Sequence, residues 1–115
     1  MTLTAEATVS ISDAEGAREG LIAALAETSG WSDIVREDCI EVRRGSEAKL
    51  RLLGAMIIKQ EDYPVLAVVT FDATTAYISV TSDMGAVIMF GMKQKYQDAC
   101  DAFAQQVAAL IPTGS

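Results

Sequence analysis

The stretch PVLAVVTF, residues 64–71, is apolar on both side-chain parities. In a strand Val65, Ala67, Val69 and Phe71 point one way, while Leu66 and Val68 point the other and only Thr70 interrupts that second row. Elsewhere the pattern is more regular. AEATVSIS alternates weakly and predicts a short edge strand ending near Ile11. Ser12-Asp13-Ala14-Glu15 then matches a capping box with Ser12 as N-cap. Ala14, Ala17, Leu21, Ala24, Leu25 and Thr28 recur at helical spacing, and Gly30 stops that helix with Trp31 packed behind it. Residues 32–38 are polar apart from Ile34 and Val35, which predicts a connector or one short helical turn.

After this the period changes to two. Ile40, Val42 and Arg44 oppose Glu41 and Arg43, and GSE at 45–47 suits a tight turn. Lys49 to Ile58 continues as a longer strand with Gly54 at a bulge, KQEDYP turns, and Pro64 opens the next strand. DATT makes another turn before a strand from Ala76 to Thr81. SDMG at 82–85 suits a hairpin loop, and Ala86 to Phe90 reads as a further short strand, or alternatively as the first turn of the last helix. Met92, Tyr96, Cys100, Phe103, Val107 and Leu110 then hold one helical face, with Lys93, Lys95, Asp98, Asp101, Gln105 and Gln106 on the wet side.

These elements define an α+β fold: two layers, an antiparallel meander sheet of four to six strands, and two helices packed on one face, in the order β-α-β-β-β-β-(β)-α. One domain over residues 1–111 and a flexible tail at 112–115 are expected. The order strand, helix, meander, helix resembles one half of the TATA-binding-protein-like fold. That resemblance concerns architecture alone, and an acidic chain is a poor DNA ligand.

A sheet with helices on one face is normally wet on the other. Here alternation fails in the middle, because Leu53, Met56, Ile57 and Ile58 are apolar on both parities, as are Leu66 and Val68 with their neighbours. If residues 49–58 pair with 64–71, the uncovered face carries an apolar patch rimmed by Arg43, Lys49, Arg51, Thr70 and Ser79. The expected interaction face is therefore Arg43, Arg51, Leu53, Met56, Leu66, Val68, Thr70 and Ser79. A second copy of the chain is the simplest cover, with another protein or a small apolar ligand next. Residues 1–11 and 31–38 folding over the sheet, or a curled sheet, would remove the need for one.

Composition narrows the chemistry. Sixteen acidic against nine basic residues give a net charge of −7, which keeps an apolar chain soluble and repels polyanions. Neither a signal peptide nor a membrane span is visible, so a cytoplasmic protein is expected. Histidine and asparagine are both absent, which removes an imidazole base, a histidine metal ligand and an N-glycosylation site. Cys39 and Cys100 have no metal-like spacing, and Cys100 on an apolar helix stripe should be a buried, inert thiol. No cofactor and no metal are expected.

Six of the nine basic residues lie between Arg36 and Lys59 beside four acids, which favours cross-strand charge pairs. The sharper reading is an anion site from Arg43, Arg44 and Arg51. GAVIMFGMK lacks the spacing and hydroxyl of a phosphate loop. Lys93 and Lys95 sit at the helix end that disfavours cations, and Glu37-Asp38 and Glu61-Asp62 fall in turns. Three functions follow in order of expectation. The first is an interaction module that self-associates or holds a protein partner through its sheet face. The second is a binder of a small apolar or acidic ligand between sheet and helices, held by Arg43 or Arg51. The third is a carboxylate–arginine enzyme without histidine.

Overall fold

The computed structural model describes residues 4–28, 30–45, 63–82 and 93–112. They form β1 (Thr4–Ser10), α1 (Ala14–Glu27), β2 (Trp31–Val35), β3 (Ile40–Arg44), β4 (Val65–Phe71), β5 (Thr75–Ser82) and α2 (Lys93–Leu110). The sheet is antiparallel throughout with strand order β1-β5-β4-β3-β2. The expected α+β architecture is thus present: β2 to β5 run as a meander, and β1 closes on its far side by pairing with β5. Among the described residues, no helix is long and apolar enough to cross a membrane.

Helix α1 starts one residue later than the capping box implied. Asp13, not Ser12, is the N-cap, and its carboxylate accepts from the amides of Glu15 at 3.2 Å and Gly16 at 3.1 Å. A charged acceptor gains more than a hydroxyl at the positive end of a helix, so Asp13 outcompetes its neighbour. The helix ends as the Thr28 amide donates to the Leu25 carbonyl at 3.2 Å and the Thr28 hydroxyl to that of Ala24 at 2.9 Å. Gly30, at φ +84°, then turns the chain directly into β2.

That strand corrects the expected connector over 32–38. Residues 31–35 pair in register with 40–44, from Trp31 opposite Arg44 to Val35 opposite Ile40. As an edge strand it buries little: Asp33 and Val35 share the helix-side parity with Trp31 yet both are exposed. Alternation, the usual strand signal, is therefore missing from its sequence. Arg36 and Cys39 close the β2–β3 turn through a 2.8 Å backbone bond.

In the middle of the sheet β4 pairs with β3 on one edge and with β5 on the other. Residues 46–62, and with them the expected strand at 49–58 and Gly54, lie outside the described residues, as do Ala86 to Phe90 and Met92. The chain leaves β3 and returns to β4 at the same point. Gly45, at φ +99°, lies so close to the Tyr63 carbonyl and the Pro64 nitrogen that a Cβ there would overlap the backbone.

The core fills the space between one sheet face and both helices. Ile40, Val42, Val65, Ala67, Val69, Ala76, Ile78 and Val80 point inward and have at most 1% exposure. Above them α2 contributes Tyr96, Ala99, Cys100, Phe103, Ala104 and Val107, and α1 contributes Ala17, Leu21 and Leu25. Helix α2 lies across β1, β5 and β4, while α1 packs against β2 and α2. The small side chains Ala5, Ala67 and Ala76 on those three strands suit close approach of α2. The Tyr63 and Tyr96 rings meet at 5.1 Å with a tilt of 54°, and the Tyr96 hydroxyl donates to the Pro64 carbonyl, tying α2 to the start of β4. Pro112 sits against Gly20 of α1, and the rest of the expected tail, 113–115, lies outside the described residues.

Candidate binding surfaces

The strand registers place the outward side chains in rows. Thr4, Thr81, Leu66, Arg43 and Ser32 make one, and Glu6, Ser79, Val68, Glu41 and Ile34 the next. A third joins Thr8, Tyr77 and Thr70. Of the expected interaction face, Arg43, Leu66, Val68, Thr70 and Ser79 therefore share one side of the sheet, opposite both helices. Arg51, Leu53 and Met56 lie outside the described residues.

This face is less oily than its sequence implied. Leu66 and Val68 are half-buried on the central strand, but threonines, Ser79, Glu41 and Arg43 surround them. Two large apolar side chains missing from the expected set extend it: Ile34 on β2 is 44% exposed and Tyr77 on β5 is 46% exposed. Over β1, β5 and β4 a shallow groove of about 200 Å³ runs along Glu6, Thr8, Val68, Thr70, Tyr77 and Ser79. Polar and apolar groups thus alternate over the face, and no described helix covers it.

Among the described residues of the basic cluster, Arg36 and Arg43 form charge pairs of the expected kind. Glu41 accepts from Arg36 Nε and lies 3.9 Å from Arg43 Nη2, forming an Arg36–Glu41–Arg43 triad on the outer face. Arg36 in turn is held at its carbonyl by Arg18 Nη2 at 2.7 Å, which ties the β2–β3 turn to α1. Arg44 points the opposite way. It is 7% exposed, its guanidinium lies 4.8 Å from the Phe103 ring centroid, and Nη1 donates to Gln106 Oε1. Trp31 meets the same Phe103 ring edge-on, at 4.9 Å and 77°. Arg43 and Arg44 thus face opposite sides of the sheet and share only the end of β3.

At that end the structure opens a cleft of about 320 Å³ lined by Gly30, Trp31, Ser32, Arg43, Arg44, Gly45 and Pro64. It lies beyond the strand ends, not between sheet and helices, where the inward residues fill the space. Its residues come from β2, β3 and the approach to β4, so only the long-range pairing that was missed for β2 brings them together.

Both thiols are less acidic than ordinary cysteine. Burial pushes Cys100 up to about 11, helped by Asp101, and Cys39 is raised by desolvation and by Asp38. Neither is a thiolate near neutrality, which disfavours thiol nucleophilicity. Among the described residues, no group of three or more His, Cys, Asp or Glu side chains converges on a metal position.

By fold the described residues form a two-layer α+β domain. No family model, no curated protein and no solved structure matches the chain.

Proposed function

We propose that the protein is a non-enzymatic interaction module that pairs with a second copy of itself through the outer face of its sheet. The observation that carries this reading is the half-buried Leu66–Val68 strip on a face without a described helix, flanked by the exposed Ile34 and Tyr77. Apolar side chains interspersed with polar ones are the usual make-up of non-obligate protein contact surfaces. The charge layout favours a like partner. Glu6 stands on β1 at one edge of the face, while Arg36 and Arg43 stand toward the other. In a face-to-face pair with its two-fold axis along the strands, the β1 edge of one copy lies over the β2–β3 edge of the other. Such packing brings Glu6 of each copy to the edge that carries the other's Arg36–Glu41–Arg43 triad, where two positive charges outnumber one negative.

Sedimentation velocity at tens of micromolar tests the reading directly, with Val68→Lys as the variant. A lysine at 68 stands opposite Glu41, so the fold tolerates it, while its charge enters the centre of the interface. The wild type should sediment as a dimer, and the variant should be monomeric with an unchanged far-ultraviolet circular dichroism spectrum and a cooperative thermal transition. A wild-type monomer at these concentrations, or an equally dimeric variant, overturns the proposal.

A further inference from the structure

We infer that the cleft at the end of β2 and β3 is a binding site for a small oxyanion-bearing molecule, a phosphate or a carboxylate. Four observations converge there. The cleft, at about 320 Å³, lies at the small end of ligand-site volumes and admits a molecule of metabolite size. Two arginines from adjacent positions of one strand line it, in a chain whose net charge is −7. An anion thus meets a local concentration of positive charge on an otherwise repelling molecule, and guanidinium forks suit planar carboxylate and tetrahedral phosphate oxygens.

The two arginines are built differently. Arg44 is fixed at the rear, 7% exposed, with Phe103 against its guanidinium and Gln106 accepting from Nη1. Such a side chain is already ordered and loses little freedom when a ligand arrives. Arg43 is half-exposed at the rim, 3.9 Å from Glu41, and its charge can be shared with an incoming anion. The walls are shaped by glycine. At Gly30 the position of a Cβ is open space, and at Gly45 the left-handed backbone folds against Tyr63 and Pro64. The Ser32 hydroxyl supplies a neutral donor on the same lining.

The chain's only tryptophan, Trp31, lines this cleft, so its fluorescence reports on the site without a label. The experiment titrates the full chain with inorganic phosphate and with citrate, using chloride at matched ionic strength as the control. A saturable change in Trp31 emission with one or both anions, and none with chloride, is expected. Arg43→Gln should weaken that binding about tenfold or more, because it removes a charge-assisted contact while leaving Arg44 and the core untouched. Phosphate and citrate curves distinguish the two chemistries, since whichever saturates at lower concentration names the class. A change that chloride reproduces, or one that survives Arg43→Gln with unaltered midpoint, overturns the inference. Ser32→Ala gives a second arm: an unfolded Arg43 variant would leave it to report the same loss in a milder, severalfold form.

Discussion

At the scale of single residues, the structure separates neighbours that look equivalent in the sequence. Ser12 and Asp13 are both good capping types, and only geometry shows that Asp13 receives the Glu15 and Gly16 amides. Asp13→Ala should therefore lower stability by about 1 kcal/mol in a denaturant titration, the usual cost of a lost cap. Ser12→Ala should change it by much less; an equal effect of both would restore the capping box. Arg43 and Arg44 are a second such pair. Period-two alternation correctly sends them to opposite faces, but nothing local marks Arg44 as the one held between Phe103 and Gln106. That information resides in contacts separated by 59 and 62 positions, beyond any short pattern.

At the scale of elements, legibility follows how much each element buries. The faces of α1 and α2 were readable because Leu21, Leu25, Tyr96, Cys100, Phe103 and Val107 all enter the core at helical spacing. Strands β3, β4 and β5 were readable because their inward rows are apolar except at the strand ends, where Arg44 and Ser82 stand. Strand β2 was not, since only Trp31 among its residues is substantially covered. Losing β2 also hid Ile34 as a member of the outer face and Trp31 and Ser32 as walls of the cleft. The β3–β4 junction offers a sharp test of the observed pairing. Because Gly45 lies against the Tyr63 carbonyl with a left-handed backbone, Gly45→Ala must displace main chain and not a flexible side chain. A loss of at least about 2 kcal/mol is expected from the clash and the unfavourable φ together. A near-neutral result in thermal unfolding would show that β3 and β4 do not meet in this way.

At the scale of the whole molecule, charge and surface pull in opposite directions, and salt reveals which governs association. Two copies each carrying −7 repel by about 10 kcal/mol if treated as unscreened point charges about 20 Å apart in water. A Debye length of about 8 Å cuts that to about 1 kcal/mol at physiological ionic strength. The attractive rim pairs between Glu6 and the arginines are solvent-exposed and contribute at most about 1 kcal/mol each. At low salt long-range repulsion therefore dominates the electrostatic part of dimerisation, near physiological ionic strength the two terms roughly cancel, and the apolar strip must supply the net attraction. The expected outcome is that the dimer tightens as sodium chloride rises from low to physiological concentration, followed by sedimentation equilibrium. Anion binding in the cleft should weaken over the same range, because there the interaction is attractive and local. Opposite salt responses would show that the two events are driven by different forces, although Arg43 stands at the rim of both. A dimer that dissociates with added salt would instead mean that ion pairs hold it, and the Leu66–Val68 strip would lose its claim to the interface.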